Sequence, residues 1–218
     1  MCGRYTLATT PEAIADAFAL ENVPDFPRRY NIAPSQPVAV IVHSSQTEQR
    51  QFRLMRWGLI PSWAKDPGIG NKLINARAET VQEKPSFRTA FKRRRCLIPA
   101  DGFYEWQNIK GGTKQPYYFH FKASQVFAFA GLWESWQDIE TCTILTTSAN
   151  ELLQPIHARM PVIIEPKHYE TWLSPKIQES TLLLPLLQPP SSDGMEAYPV
   201  GTWVNSASHD DPRCVQTL

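Results

Sequence analysis

Proline recurs from one end of the chain to the other, 19 times in 218 residues, roughly 9% against a usual ~5%. Each proline fixes φ and lacks an amide donor, so it interrupts helices and avoids the middle of a sheet. Spread this widely, the prolines read as loop punctuation between short elements and not as a disordered tract. VAVIV at 38–42 predicts a buried strand, and the alternating QFRLMRW at 51–57 a half-buried one. A proline-bounded loop follows at 60–71. Thr10-Pro11-Glu12 opens a short helix, with Thr10 as N-cap and proline at its first position. Residues 77–95 predict helix in two pieces broken at Pro85, and further helices are expected around 149–154 and 166–173. From Cys96 the chain turns β-rich through CLIPADGFYEW, PYYFHF, VFAFAGLW and TCTILTT, and TWVN near the end is strand-like. Strands far apart in sequence must then share a sheet. With no internal repeat and no long linker, the expectation is a single α+β domain over 1–218. It should be mostly β, with a curved or barrel-like sheet and peripheral helices.

A hydrophobic share of 42% and a charged share of 20% are those of a globular chain that buries a core without disulfides or metals. No apolar run approaches the ~20 residues of a membrane span, and nothing at the N-terminus resembles a signal peptide. A cytoplasmic location and no membrane partner are therefore expected. The cysteines at 2, 96, 142 and 214 form no C-x-x-C pair and no zinc-ligand spacing. No metal or other cofactor is expected, and Cys96 and Cys142, set in apolar runs, read as buried thiols. The net charge of +1 argues neither for nor against nucleic acid. Basic residues nevertheless gather in the first half, at Arg28, Arg29, Arg53, Arg56, Arg77, Arg88 and the run from Lys92 to Arg95. That run by itself reads as a solvated helix end.

The chain starts Met-Cys-Gly-Arg. A small second residue is the condition for trimming the initiator methionine, so the mature chain is expected to begin at Cys2. Its α-amine would have a pKa of ~7.7–8.0, leaving roughly a tenth neutral at pH 7. The thiol, at ~8.5, supplies a small thiolate fraction. Two chemistries suit the pair. The thiol can attack an amide with its own amine as base, or the amine can condense with an aldehyde while the thiol closes a thiazolidine ring. From these residues alone, a functional Cys2 and a chance cysteine in a frayed terminus weigh evenly.

Four more segments stand out: RRYNIAPSQ at 28–36, INARAET at 74–80, IPADGFYEW at 98–106 and the H-x-R-M-P at 157–161. Together with MCGR, and in this order, they resemble the SRAP (SOS response-associated peptidase) family, whose members process abasic sites in DNA. The resemblance runs from Met1 to about Val162 and thins after about 165, where no role beyond completing the fold is expected. It implies a monomeric SRAP domain that binds single-stranded DNA, associates with the nucleoid, and forms a covalent thiazolidine adduct at the N-terminal cysteine. On matching positions it implies Cys2 as nucleophile, Asn75 as the amide that positions Cys2 and the sugar, Glu105 as the catalytic carboxylate and His157 as proton donor. A carboxylate and an imidazole of separated pKa can divide the proton transfers that imine formation and ring opening need. Arg4, Arg77 and Arg159 are implied as phosphate clamps. Trp106, Pro34 and Trp63 would be flat surfaces against bases, and Thr146 a further phosphate contact. Taken singly, Glu105 reads as an exposed strand residue, His157 as a loop histidine, Asn75 as a turn residue and Trp63 as core. His120 remains an ordinary strand residue. Two other functions are compatible with parts of the pattern. Met-Cys-Gly also opens glutamine amidotransferases, in which INARAET and FYEW have no place, and a non-covalent single-strand-binding module would leave Cys2 incidental. Limited self-processing at Met1–Cys2 fits the family's name.

Overall fold

The structure is a computed structural model that describes residues 2–44, 47–109, 111–122 and 125–218. The prolines and β-branched runs resolve into strands arranged as two sheets. The first holds β1 (Tyr5–Leu7), β2 (Arg29–Ile32), β7 (Gly102–Asn108), β8 (Lys114–Phe121) and β13 (Met195–Pro199), in the order β13-β8-β7-β1-β2. The second is built on β3 (Pro37–His43), β4 (Arg50–Trp57), β6 (Arg95–Ala100), β9 (Phe127–Trp136) and β10 (Ile139–Ser148). Its pairing runs β10-β4-β3-β6-β9 and returns to β10, so these strands close into a barrel. Every pairing in the ring is antiparallel except β4 with β10. Closure leaves no free edge around the ring. Three short strands ride on it: β5 (Asn75–Arg77) and β11 (Arg159–Pro161) against β10, and β12 (Ile163–Ile164) against β9. The expected mostly-β, barrel-like architecture is what the chain adopts.

The core lies between barrel and sheet. The period of two along β7 sends Phe103 and Glu105 inward, while Tyr104 and Trp106 face out. Phe103 stacks on Phe119 at 5.2 Å, and Phe129 meets Phe103 and Tyr5 edge-on. On the outer face Tyr104 and Tyr118 pack under Val200, Val204 and Cys214 of the C-terminal segment. Gly102 is required here, because a Cβ would stand 2.1 Å from the Tyr118 hydroxyl oxygen.

Helices are short and peripheral. α1 (Pro11–Phe18) starts as predicted, with Thr10 Oγ1 accepting from the Ala13 amide at 3.3 Å. Its buried Phe18 stacks on Tyr169 of α3 (Tyr169–Leu173). Three expectations need correction. Only α2 (Arg88–Arg93) is α-helical within 77–95, after a single 3-10 turn at Ala78–Thr80. In place of a helix at 149–154, residues 149–150 are irregular and 151–156 are hydrogen-bonded turns, since Pro155 lacks the donor that a following helical turn would use. TWVN forms a 3-10 turn, Thr202–Asn205; the carbonyls of Val204 and Asn205 are taken by the Arg4 side chain instead of a neighbouring strand.

The basic run departs furthest from a solvated helix end. Arg95 opens β6 and is only 3% exposed. Its guanidinium donates to the carbonyls of Phe91, Lys92, Trp172, Ser174 and Ile177. Arg94 pairs with Glu134 at 2.6 Å. Cys96 and Cys142 are buried free thiols, as expected.

Candidate active site at the N-terminal cysteine

The backbone brings the candidate residues together from distant parts of the chain. Beyond the paired residues of β1, the Tyr104 amide donates to the Arg4 carbonyl at 3.0 Å. This continues the β1–β7 register toward the N-terminus and lays residues 2–4 alongside Glu105. β5 runs parallel to β10, with Asn75 opposite Ile144. From there Asn75 Nδ2 donates to the Cys2 carbonyl at 2.8 Å. Asn75 Oδ1 is buried and accepts no hydrogen bond among the described residues. His157 precedes β11 on the other side of β10, and its Nδ1 lies 3.9 Å from Glu105 Oε2. The Arg159 amide donates to that same Nδ1 at 3.1 Å, and the Arg159 carbonyl lies 2.9 Å from it. The Arg159 backbone thus offers a partner to either protonation state of the imidazole: a donor to the neutral ring, an acceptor to the charged one. Met1 lies outside the described residues, and with it the expected trimming.

Burial sets the electrostatics. Cys2 is fully buried, and desolvation pushes its thiol far above the ordinary range, with the Glu105 charge adding to the effect. Glu105 is 2% exposed. Desolvation raises its carboxyl as well, and the neighbouring His157 opposes that rise. The pair is therefore a neutral-favouring carboxyl 3.9 Å from a half-exposed imidazole, at ion-pair distance and beyond a direct hydrogen bond.

A cleft of about 550 Å³ opens in front of them, with Gly3, Arg4, Glu105, Trp106, His157 and Asn205 among its walls. Arg4 is held by the Val204 carbonyl at 2.9 Å and Asn31 Oδ1 at 3.2 Å. Trp106 is pinned by an indole N–H to Asn205 Oδ1 at 2.8 Å. Arg77 is exposed at the end of β5, in register with Thr146. Arg159 reaches the same place from β11 and bonds Thr146 and Glu79. Thr146 itself is fully buried, its hydroxyl accepting from Arg159 at 3.3 Å. Thr146 thus offers no exposed surface for the direct phosphate contact expected of it; its visible role is to hold Arg159. Pro34 and Trp63 stand on loops outside the cleft wall, and Trp63 is 59% exposed, not core. His120 is stacked on Tyr118 on the outer face of β8, away from the cleft.

Two residues of the site carried no signal of their own. Asn31 Nδ2 lies 2.7, 2.9 and 3.1 Å from the carbonyls of His209, Ser206 and Val204. It sits inside RRYNIAPSQ, so the segment was marked though the residue was not. Asn205 lies in the stretch given no role beyond completing the fold, and it forms part of the cleft. No local pattern announces a contact made with residue 4 or residue 106.

The family model described as SOS response associated peptidase (SRAP) matches residues 1–207. This chain belongs to the SRAP family. Among relatives of this SRAP protein, the abasic site processing protein YoqW of Bacillus subtilis (strain 168) is 45% identical over 225 residues, covering 100% of both chains. The abasic site processing protein HMCES of Gallus gallus is 32% identical over 221 residues, covering 85% of this chain and 65% of its own length. Among solved structures, a protein from Bacteroides thetaiotaomicron superposes with a TM-score of 0.86 at 29% identity, covering 100% of both chains. Among the described residues no helix of the SRAP protein is long and apolar enough to cross a membrane.

Proposed function

We propose that this SRAP protein processes abasic sites in single-stranded DNA by capturing them covalently on Cys2 once Met1 is removed. The observation that carries the reading is the Asn75–Cys2 hydrogen bond behind a cleft whose wall holds Glu105 and His157 in mutual reach. The names of the relatives, abasic site processing proteins, support the same substrate. The ring-opened sugar presents an aldehyde. The Cys2 amine adds to its carbon, and loss of water leaves an imine. The thiol then adds to the imine carbon, forming a C–S bond while its proton passes to nitrogen. The sum is aldehyde plus aminothiol giving thiazolidine plus water. Glu105, raised by burial, exchanges protons with the amine and the departing oxygen, and His157 connects that exchange to solvent.

The strongly raised thiol favours this order, amine first. An amidohydrolase would need the reverse, a thiol lowered toward thiolate. In this reading Arg4, Arg77 and Arg159 hold the strand, Trp106 stacks beside the lesion, and the protein acts as a monomer on cytoplasmic, nucleoid DNA.

The test incubates protein with an abasic oligonucleotide, the same oligonucleotide without the lesion, or glutamine. Intact mass should show Met1 missing and one adduct, minus water, with abasic DNA only. Glutamine hydrolysis, or binding without a mass increase, would overturn the covalent reading.

A further inference from the structure

Arg159 is already bound to an anion. Its Nη1 and Nη2 meet Glu79 Oε1 and Oε2 at 2.5 and 3.0 Å, the bidentate fork geometry that guanidinium also uses for phosphate. The two sides of this guanidinium differ. Inward, Nη2 is anchored on β10 by the carbonyl and hydroxyl of the fully buried Thr146, at 2.6 and 3.3 Å. Outward, the partner is a carboxylate whose side chain is 51% exposed, against 19% for Arg159. The anchor is fixed and the outer partner is replaceable. Arg77, exposed two residues before Glu79, adds positive charge at the same place, and both guanidiniums hold the Glu79 carboxyl below the usual range, Arg159 foremost.

From this geometry we infer that Glu79 occupies an anion site of Arg159 and Arg77 that a strand phosphodiester takes over, so that Glu79 sets the threshold for strand binding. The inference rests on the proposed function for the identity of the incoming anion. A phosphodiester offers the same fork of oxygens as the carboxylate, and Thr146 keeps the guanidinium in place during the exchange. A lone phosphate competes with a tethered carboxylate and gains little. A strand that makes further contacts in the cleft displaces it. Glu79 therefore selects against isolated anions and in favour of a continuous backbone.

The experiment compares Glu79→Gln with Glu83→Gln, which removes the same charge from an exposed residue nearby. One titration uses inorganic phosphate, read by the NMR signal of Arg159 Nε–H. The other uses a labelled single strand without a lesion, read by anisotropy. Glu79→Gln should bind both about three- to tenfold more tightly than Glu83→Gln, the scale of one partly exposed bidentate pair. Adding Arg159→Ala to Glu79→Gln should erase the gain for the strand. Phosphate binding no tighter than in Glu83→Gln overturns the inference, and weaker binding would make Glu79 a positioning residue for Arg159. Failure of the wild-type protein to bind any single strand would sink the proposed function, while the phosphate titration still decides the exchange.

Discussion

A carboxyl almost closed off from water, such as Glu105, is shifted toward its neutral form, and on the proposed function that is the group that moves protons. Its folded pKa is raised by desolvation. The associated stability is complete below the ordinary glutamate value of ~4.3 and is lost as pH rises through the folded pKa. Glu105→Gln should therefore melt higher than the wild type at pH 7, with the difference shrinking toward pH 4. The same variant should capture abasic DNA more slowly by ~10²–10⁴, the usual loss for one positioned acid or base. A variant that is neither more stable nor slower would take Glu105 out of both roles. Cys2→Ala should abolish the heat-resistant adduct and leave non-covalent binding nearly intact, since ring closure needs the thiol and phosphate contacts do not. Gel analysis of the two variants checks these rates, and His157→Ala should follow Glu105→Gln in rate.

Among the elements, β6 and α3 are joined through one side chain. Burial brings the Arg95 pKa down to about 10, yet the guanidinium stays charged at neutral pH. It satisfies carbonyls at the end of α2 and beyond the end of α3. Arg95→Ala would leave several of these acceptors unmet at about 1–3 kcal/mol each, and a loss of roughly 3–5 kcal/mol in a urea melt is expected. Arg95→Lys should recover only part of it, because an ammonium cannot span the same fork of acceptors. Arg93→Ala, exposed two residues earlier, should cost under about 0.5 kcal/mol. Equal losses for Arg93 and Arg95 would contradict the placement of Arg95 as the tie between these elements.

At the scale of the molecule, the cleft is completed by the chain's last segment. Val204 and Asn205 hold Arg4 and Trp106, and the segment covers Tyr104 and Tyr118 on the outer face of the sheet. Deleting 200–218 should lower stability and capture together, although Cys2, Asn75, Glu105 and His157 all remain. The whole surface also bears on substrate form. Cys2 is fully buried beside Gly3 of the cleft wall, so on the proposed function the sugar must come to it, which costs a few kcal/mol from within a duplex. An abasic single strand should crosslink faster than the same strand annealed to its complement, and equal rates would refute the preference. If Arg4, Arg77 and Arg159 each take one phosphate, log affinity should fall against log salt with a slope of about −2, from ~0.7 per phosphate on single strands.

Sequence by itself determined the class of fold and the local start of α1. Proline spacing and β-branched runs forbade long helices, and Thr10-Pro11 capped α1 as local rules require. The ordered motifs marked Asn75, Glu105 and His157, which do converge behind and around one cleft. Tertiary structure alone decided which side chains face inward and what each is paired with. Arg95 and Arg93 belong to the same basic run, yet one is enclosed and the other exposed, because α3 packs over the start of β6. Thr146 is buried and Trp63 exposed for the same kind of reason, since burial depends on what the rest of the chain places above a residue. The partners Glu79–Arg159, Asn31–His209 and Trp106–Asn205 are separated by 80, 178 and 99 positions. Periodicity carries information over a few residues, whereas these contacts exist only after barrel closure and the return of the C-terminal segment.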